Sequence, residues 1–210
     1  MRIPNKYLAL SFVLVSAFAL AATPDTFDAG KTTANVFESP FFHFRYEFPK
    51  GWFALDDSVR MAENKKRYET DLKEALDQNG PDSATSHTEV VDPYFLLVAG
   101  QSAVTASETT QKPRVVIMAT KRRNMMSGPR DPARTIIEMI HPKVLKGPED
   151  LVLAGRQFSR TDLEFNPKSL LSKFATVVGE YIIEFDLRAD NEKDLANLVN
   201  TMQSLQFTDH

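Results

Sequence analysis

The sequence predicts an α+β domain, an antiparallel sheet of about six strands with helices on both faces. Three observations carry this. The apolar residues of 41–48 alternate with a period of two, as a strand with one buried face requires. Three later stretches have helical apolar spacing behind a helix-starting residue, near Asp57, Asp131 and Asn191. Strands and helices do not alternate regularly, as they must in a parallel sheet.

The chain has 210 residues, which sets an expectation of one domain. Residues 1–21 have the build of a signal peptide. Arg2 and Lys6 give a positive start, 7–20 is an uncharged apolar run, and Ala19 and Ala21 are small at the −3 and −1 positions. Cleavage is expected after Ala21. The other reading is a retained anchor, but the run is shorter than the roughly 20 residues a spanning helix needs. No second run of that length follows, so a periplasmic or secreted location is expected, with no stable membrane span after cleavage. Residues 22–35 are polar and without period, a flexible leader; 36–210 is the single domain. The chain has no cysteine. That removes a lipoprotein anchor, disulfides, thiol catalysis and cysteine-held zinc. Loss of Arg2 and Lys6 takes the 25 basic residues down to 23 against 28 acidic ones, a net charge of −5. Nucleic acid is therefore not an expected partner, because phosphate binding favours a basic surface.

The elements follow in order. Residues 36–38 suit a short strand. In 41–48, Phe42, Phe44, Tyr46 and Phe48 point one way and His43, Arg45 and Glu47 the other. Pro49-Lys50-Gly51 makes a turn, and 52–54 resumes the strand. Trp52 is expected to anchor the core. Asp56 and Asp57 are candidate caps for a helix to about residue 78, with Tyr68, Leu72, Ala75 and Leu76 as its apolar stripe. Residues 94–99 and 114–120 are continuous apolar runs, central strands that form a long-looped hairpin. Asp131-Pro132 starts a second helix, which Pro142 ends. Gly147-Pro148 closes that segment. Residues 156–165, 170–178 and 181–189 suit three antiparallel strands. Phe158 is out of phase with Leu163 and Phe165, which predicts a bulge near Arg160. Asp190-Asn191 caps a last helix, whose Leu195, Leu198, Val199 and Met202 share one side.

The run Phe44-Arg45-Tyr46-Glu47-Phe48-Pro49-Lys50-Gly51-Trp52 resembles the opening of PsbP-like domains. So do Gly179-Glu180-Tyr181-Ile182-Ile183-Glu184-Phe185, the capped helix after it and Ser204-Leu205-Gln206-Phe207. The resemblance covers about 36–207. It implies an α-β-α sandwich around an antiparallel sheet, and a protein that acts by binding another protein. It carries over no site residue, because the matched positions are core positions.

Chemistry is sparsely signalled. Gly30-Lys31-Thr32 matches only the tail of a phosphate loop, since Asp25 stands where a glycine is needed. His87, Glu89 and Asp92 could hold a metal, but their spacing fits no established site. No Gly-x-Ser-x-Gly occurs for a serine hydrolase. The acidic pairs Asp56-Asp57 and Glu149-Asp150 are better explained as caps or loop residues than as glycosidase carboxylates. No catalytic, cofactor-binding or metal residue is assigned, and no cofactor is expected. The largest local signal is basic: Lys121, Arg122, Arg123, Arg130 and Arg134. It suits a docking surface for an acidic partner, or equally a solvated strand end. The expected function is a non-enzymatic protein-binding or accessory module of the cell envelope. The alternative is an extracytoplasmic binder of a small ligand or metal.

The signal reading is checked by intact-mass measurement of the exported protein. A chain beginning at Ala22 is expected. A chain that keeps Met1 identifies the segment as an anchor.

Overall fold

A computed structural model describes residues 30–79, 93–103, 113–122, 128–166 and 168–208. The expected signal peptide and the first part of the leader lie outside them. The chain builds two antiparallel sheets. The smaller contains β1 (Lys31–Thr33), β2 (Val36–Ser39), β3 (Phe44–Glu47) and β11 (Gln206–Phe207), in the order β1-β2-β3-β11. The larger contains β4 (Phe53–Ala54), β5 (Tyr94–Gly100), β6 (Arg114–Lys121), β7 (Lys143–Leu153), β8 (Arg156–Asn166), β9 (Ser169–Val178) and β10 (Tyr181–Ala189). Its order is β4-β5-β6-β10-β9-β8-β7. Among the described residues, three α-helices accompany them: α1 (Asp57–Asn79), α2 (Asp131–Ile140) and α3 (Glu192–Thr201).

One sheet of about six strands with helices on both faces is therefore corrected to sheets of seven and four strands. The cause is the aromatic strand. Phe37, Phe42, Phe44, Tyr46 and Phe48 are all buried, and β3 pairs with β2 and β11 rather than with a strand of the large sheet. The short strands thus form a second layer, which shares one core with α3 and the large sheet. Phe44 and Tyr46 both lie 5.7 Å from Phe185 of β10, centroid to centroid. Tilted aromatic contacts of this kind add to the burial of their large apolar area. Burial also drives the Tyr46 hydroxyl pKa upward, opposed by its hydrogen bond to Thr201 in α3.

The helix starts are partly as expected. Asp56 caps α1, its Oδ1 accepting from the Ser58 and Val59 N–H groups at 2.8 and 3.4 Å. Asn191 caps α3 through the Asp194 N–H at 2.9 Å. Asp131, by contrast, is the first residue inside α2; Arg130 is the cap, and Asp131 Oδ2 accepts from the Gly128 N–H. Pro142 follows the helix end at His141, whose φ is +53°. The hairpin of β5 and β6 and the paired β8, β9 and β10 form as expected. Trp52 is partly buried against the core. The stripe of Tyr68, Leu72, Ala75 and Leu76 has side chains outside the described residues.

Three expectations give way. Part of the leader is structured: Lys31–Thr33 pairs with β2, which also places the phosphate-loop fragment in an ordinary hairpin. Residues 143–153 form an edge strand, masked in the sequence by Gly147-Pro148. Proline is tolerated there because an edge N–H needs no partner, and the register shifts around it. Gly147 has φ +83°, and a Cβ there would stand 2.3 Å from the Arg160 carbonyl oxygen. The irregularity expected in β8 near Arg160 falls on its partner β7, between the pairs Lys146–Asp162 and Glu149–Arg160, while the β8–β9 pairing runs in register from Ser159 to Glu164. Phe158 and Leu163 are out of phase because both faces of β8 are buried.

α1 closes an open edge. β4 pairs only with Ala99 and Gly100, leaving the earlier part of β5 without a strand neighbour on the side away from β6. There the Asn64 side chain takes the place of a strand. Its Nδ2 donates to the Phe95 carbonyl, and its Oδ1 accepts from the Phe95 N–H, both at 2.9 Å. Asn64→Ala strands both backbone groups. A loss of about 1–3 kcal/mol is expected in urea unfolding, with faster amide exchange at Phe95. An unchanged Phe95 amide counts against this role.

Candidate functional site

β10 carries two different faces. Ile183, Phe185, Leu187 and Ala189 belong to the main core. Glu184, Asp186 and Arg188 point the other way, where strand alternation places them in one column. Register puts Lys173 of β9 opposite Asp186, and Arg114 of β6 opposite Arg188. The side chains then link across three strands. Thr120 Oγ1 donates to Glu184 Oε1 at 3.0 Å. Lys173 Nζ lies 2.6 Å from Glu184 Oε2 and 2.6 Å from Asp186 Oδ1. Arg188 Nη2 stands 3.4 Å from Asp186 Oδ2.

Lys173 is 3% exposed, and Glu184 and Asp186 are buried with it. Burial alone pulls a lysine pKa down and pushes a carboxyl pKa up. The charges of Asp186 and Glu184 outweigh burial at Lys173 and hold its pKa above the ordinary lysine value. Burial opposes ionisation of Asp186 too, but the charges of Lys173 and Arg188 hold its pKa below the ordinary range. Lys173 and Asp186 are thereby fixed in their charged forms near neutral pH. A lysine held this way cannot serve as a general base. The cluster orders the centre of the sheet and sets the field felt by Arg188 and Arg114 at its end.

Local sequence signals do not announce this cluster. Lys173 interrupts an otherwise apolar run, and Glu184, Asp186 and Arg188 recur at every second residue. An outward, solvated face is the ordinary reading of such alternation. The signal that could have found them is Lys173: a lone lysine in a central strand has to be matched by acids on the neighbouring strand.

The basic residues singled out by sequence are placed as follows. Lys121 ends β6, and its Nζ is 3.9 Å from Glu180. Arg122 is exposed, with its N–H donating to the Glu180 carbonyl at 2.7 Å. Arg123 lies outside the described residues. Arg130 holds Asp150 of β7 by two hydrogen bonds, 3.1 and 2.6 Å. Arg134 reaches Asp131 at 2.8 Å and Glu138 at 3.9 Å, both on its own helix. At the end of the same helix and the start of β7 comes an apolar group: Met139 is 76% and Ile140 60% exposed, and Val144 and Leu145 are exposed as well. Asp57 binds Arg60 at 2.8 Å, and Glu149 binds Lys146 at 2.7 Å, so neither acidic pair is a free carboxylate couple. His87, Glu89 and Asp92 lie outside the described residues. Among those described, no group of three or more metal-ligating residues is gathered.

No family model matches the chain, and no curated protein is significantly similar to it. Among solved structures it is similar to the solution structure of cyanobacterial PsbP (CyanoP) from Synechocystis sp. PCC 6803. That similarity has a TM-score of 0.46 at 10% identity and covers 88% of this chain and 99% of that one. No helix among the described residues is long and apolar enough to cross a membrane.

Lys173→Met leaves two buried carboxylates without their cation. A loss of about 3–5 kcal/mol at pH 7 is expected. The sign with pH is diagnostic. In the wild type, the depressed Asp186 pKa contributes stability above the unfolded value of about 3.9. That stability is lost as pH falls through the lower folded value. In the variant, burial raises the folded carboxyl pKa, so acidification from pH 7 to about 4.5 restores part of the loss. Chemical denaturation at both pH values reads this. A variant that weakens further on acidification rejects the assignment.

Proposed function

We propose that this chain is an exported, non-enzymatic module that docks a protein of the cell envelope. The observation that carries the reading is the exposed apolar group at the end of α2 and the start of β7. Met139, Ile140, Val144 and Leu145 follow one another closely and leave much of their surface in water. Exposed apolar clusters rimmed by polar residues mark protein contacts more often than isolated ones do. The rim here is charged: Arg134 and Glu138 stand on the helix, Lys143 and Lys146 on the strand. An apolar centre with a mixed rim is the usual anatomy of a protein interface.

Two further points support it. The charged groups of the central cluster are matched to one another rather than poised for proton transfer. The sequence resemblance to PsbP-like domains implies binding rather than catalysis, by analogy of fold alone. Lys121 and Arg122, followed in sequence by Arg123, belong to a second, basic surface at the other end of the large sheet, because Val144 lies in the row of Leu163, Leu171, Arg188 and Arg114. Its charge steers the approach of an acidic partner.

In-cell crosslinking of tagged protein, followed by affinity capture from the envelope fraction, tests the reading. A repeatable partner is expected, with recovery falling at least tenfold in the double variant Met139→Asp, Ile140→Asp. Both side chains are exposed, so the variant should fold. The triple variant Lys121→Glu, Arg122→Glu, Arg123→Glu should reduce recovery at low salt more than at high salt. Partner capture unchanged in the Met139 and Ile140 variant overturns the proposed surface.

A further inference from the structure

The two arginines at the end of the charged column pose a problem that the docking surface does not touch. Arg114 and Arg188 are directly paired across β6 and β10. Side chains so paired start about 5 Å apart, and like charges there repel. Among the described residues, Asp186 is the carboxylate that acts on both arginines. Asp186 gives one oxygen to Lys173 at 2.6 Å and stands 3.4 Å from Arg188 with the other. No hydrogen bond or ion pair reaches the Arg114 guanidinium among the described residues, and the Nε groups of both arginines are buried without a partner. Counting along the column, Lys173, Arg188 and Arg114 outnumber Glu184 and Asp186 by one positive charge.

The pair is nonetheless partly open. Arg188 keeps 28% of its side-chain surface, and Arg114 is only partly buried. Burial and the Arg188 charge, opposed by Asp186, bring the Arg114 pKa down to about 10, still charged near neutrality. The ring of Phe165 lies 5.8 Å from the Arg188 guanidinium. On the other side, register brings Gly100 next to Arg114 and the half-exposed Phe53 next to Gly100. Gly100, itself buried, puts no side chain between Arg114 and Phe53.

We infer that Arg114 and Arg188 form a binding fork for the carboxylate or phosphate group of a small ligand. Two guanidiniums present planar donor pairs that match either oxyanion. A bound anion supplies the missing negative charge and separates the like charges. Phe53, in the same row beyond Gly100, offers an apolar wall to a ligand body. Lys121 lies at the opposite end of β6, so the site is separate from the basic surface.

The test is thermal melting of the exported protein with inorganic phosphate or sodium benzoate to about 10 mM, against sodium chloride of equal ionic strength. A rise in melting temperature beyond the chloride control is expected with at least one probe. Phosphate alone acting identifies a phosphate ligand, benzoate alone a carboxylate with an apolar body, and both the shared oxyanion chemistry. Arg114→Gln should abolish the rise. It should also melt no lower than the wild type without anion, because it removes a repulsion, so loss of fold is not confused with loss of binding. Arg114→Lys should keep less than a tenth of the affinity, since it retains charge but not the fork. No rise with either probe, or an equal rise in Arg114→Gln, overturns the inference.

Discussion

A lysine enclosed between two acids governs the larger sheet. Lys173 sits 2.6 Å from both Glu184 and Asp186, on strands buried on both faces. No one of the three could be charged there alone, because desolvation of an isolated ion costs several kcal/mol. The register of β9 on β10 is thereby fixed from both sides at once. Aromatic packing demands Phe185 inward, and the ionic match demands Asp186 opposite Lys173. A slip by one residue would bury the wrong member of each pair.

Around that centre the other elements solve edge problems. α1 stands in for a missing strand through Asn64, and α3 shares the inner face with the small sheet. β7 ends the sheet with an irregular register and lysines at positions 143 and 146, features that discourage a second chain from adding to it. Its first residues and the end of α2 nevertheless leave apolar side chains in water, which is why that corner stands out.

Much of the scaffold was legible in the sequence, because local signals set it. The alternation of Phe42, Phe44, Tyr46 and Phe48 gave the correct buried set, although only Phe44–Glu47 is strand. Asp56 and Asn191 announced two helix starts by side-chain chemistry that needs no tertiary context. What failed depended on distant partners. β7 reads as a loop until β8 lies beside it. The two-sheet arrangement depends on β11 meeting β3, a pairing across more than half the chain. The charged column is not legible locally, because period-two polarity has the same appearance whether it faces water or matched ions. The basic residues at 121–123 stood out by sheer density. Arg114 and Arg188, 74 positions apart, meet only through the fold.

The pairing of β11 with β3 also bears on the order of biosynthesis. Residues 206 and 207 complete the sheet begun at residue 31, and Thr201 and Ser204 hold Tyr46 and Glu47 in place. An emerging chain cannot close its first layer until its last turn has been made. Long-range closure of this kind slows folding. Under the export proposed above, the delay keeps the chain extended while it crosses a translocation pore, and it becomes compact only after its final residues have passed.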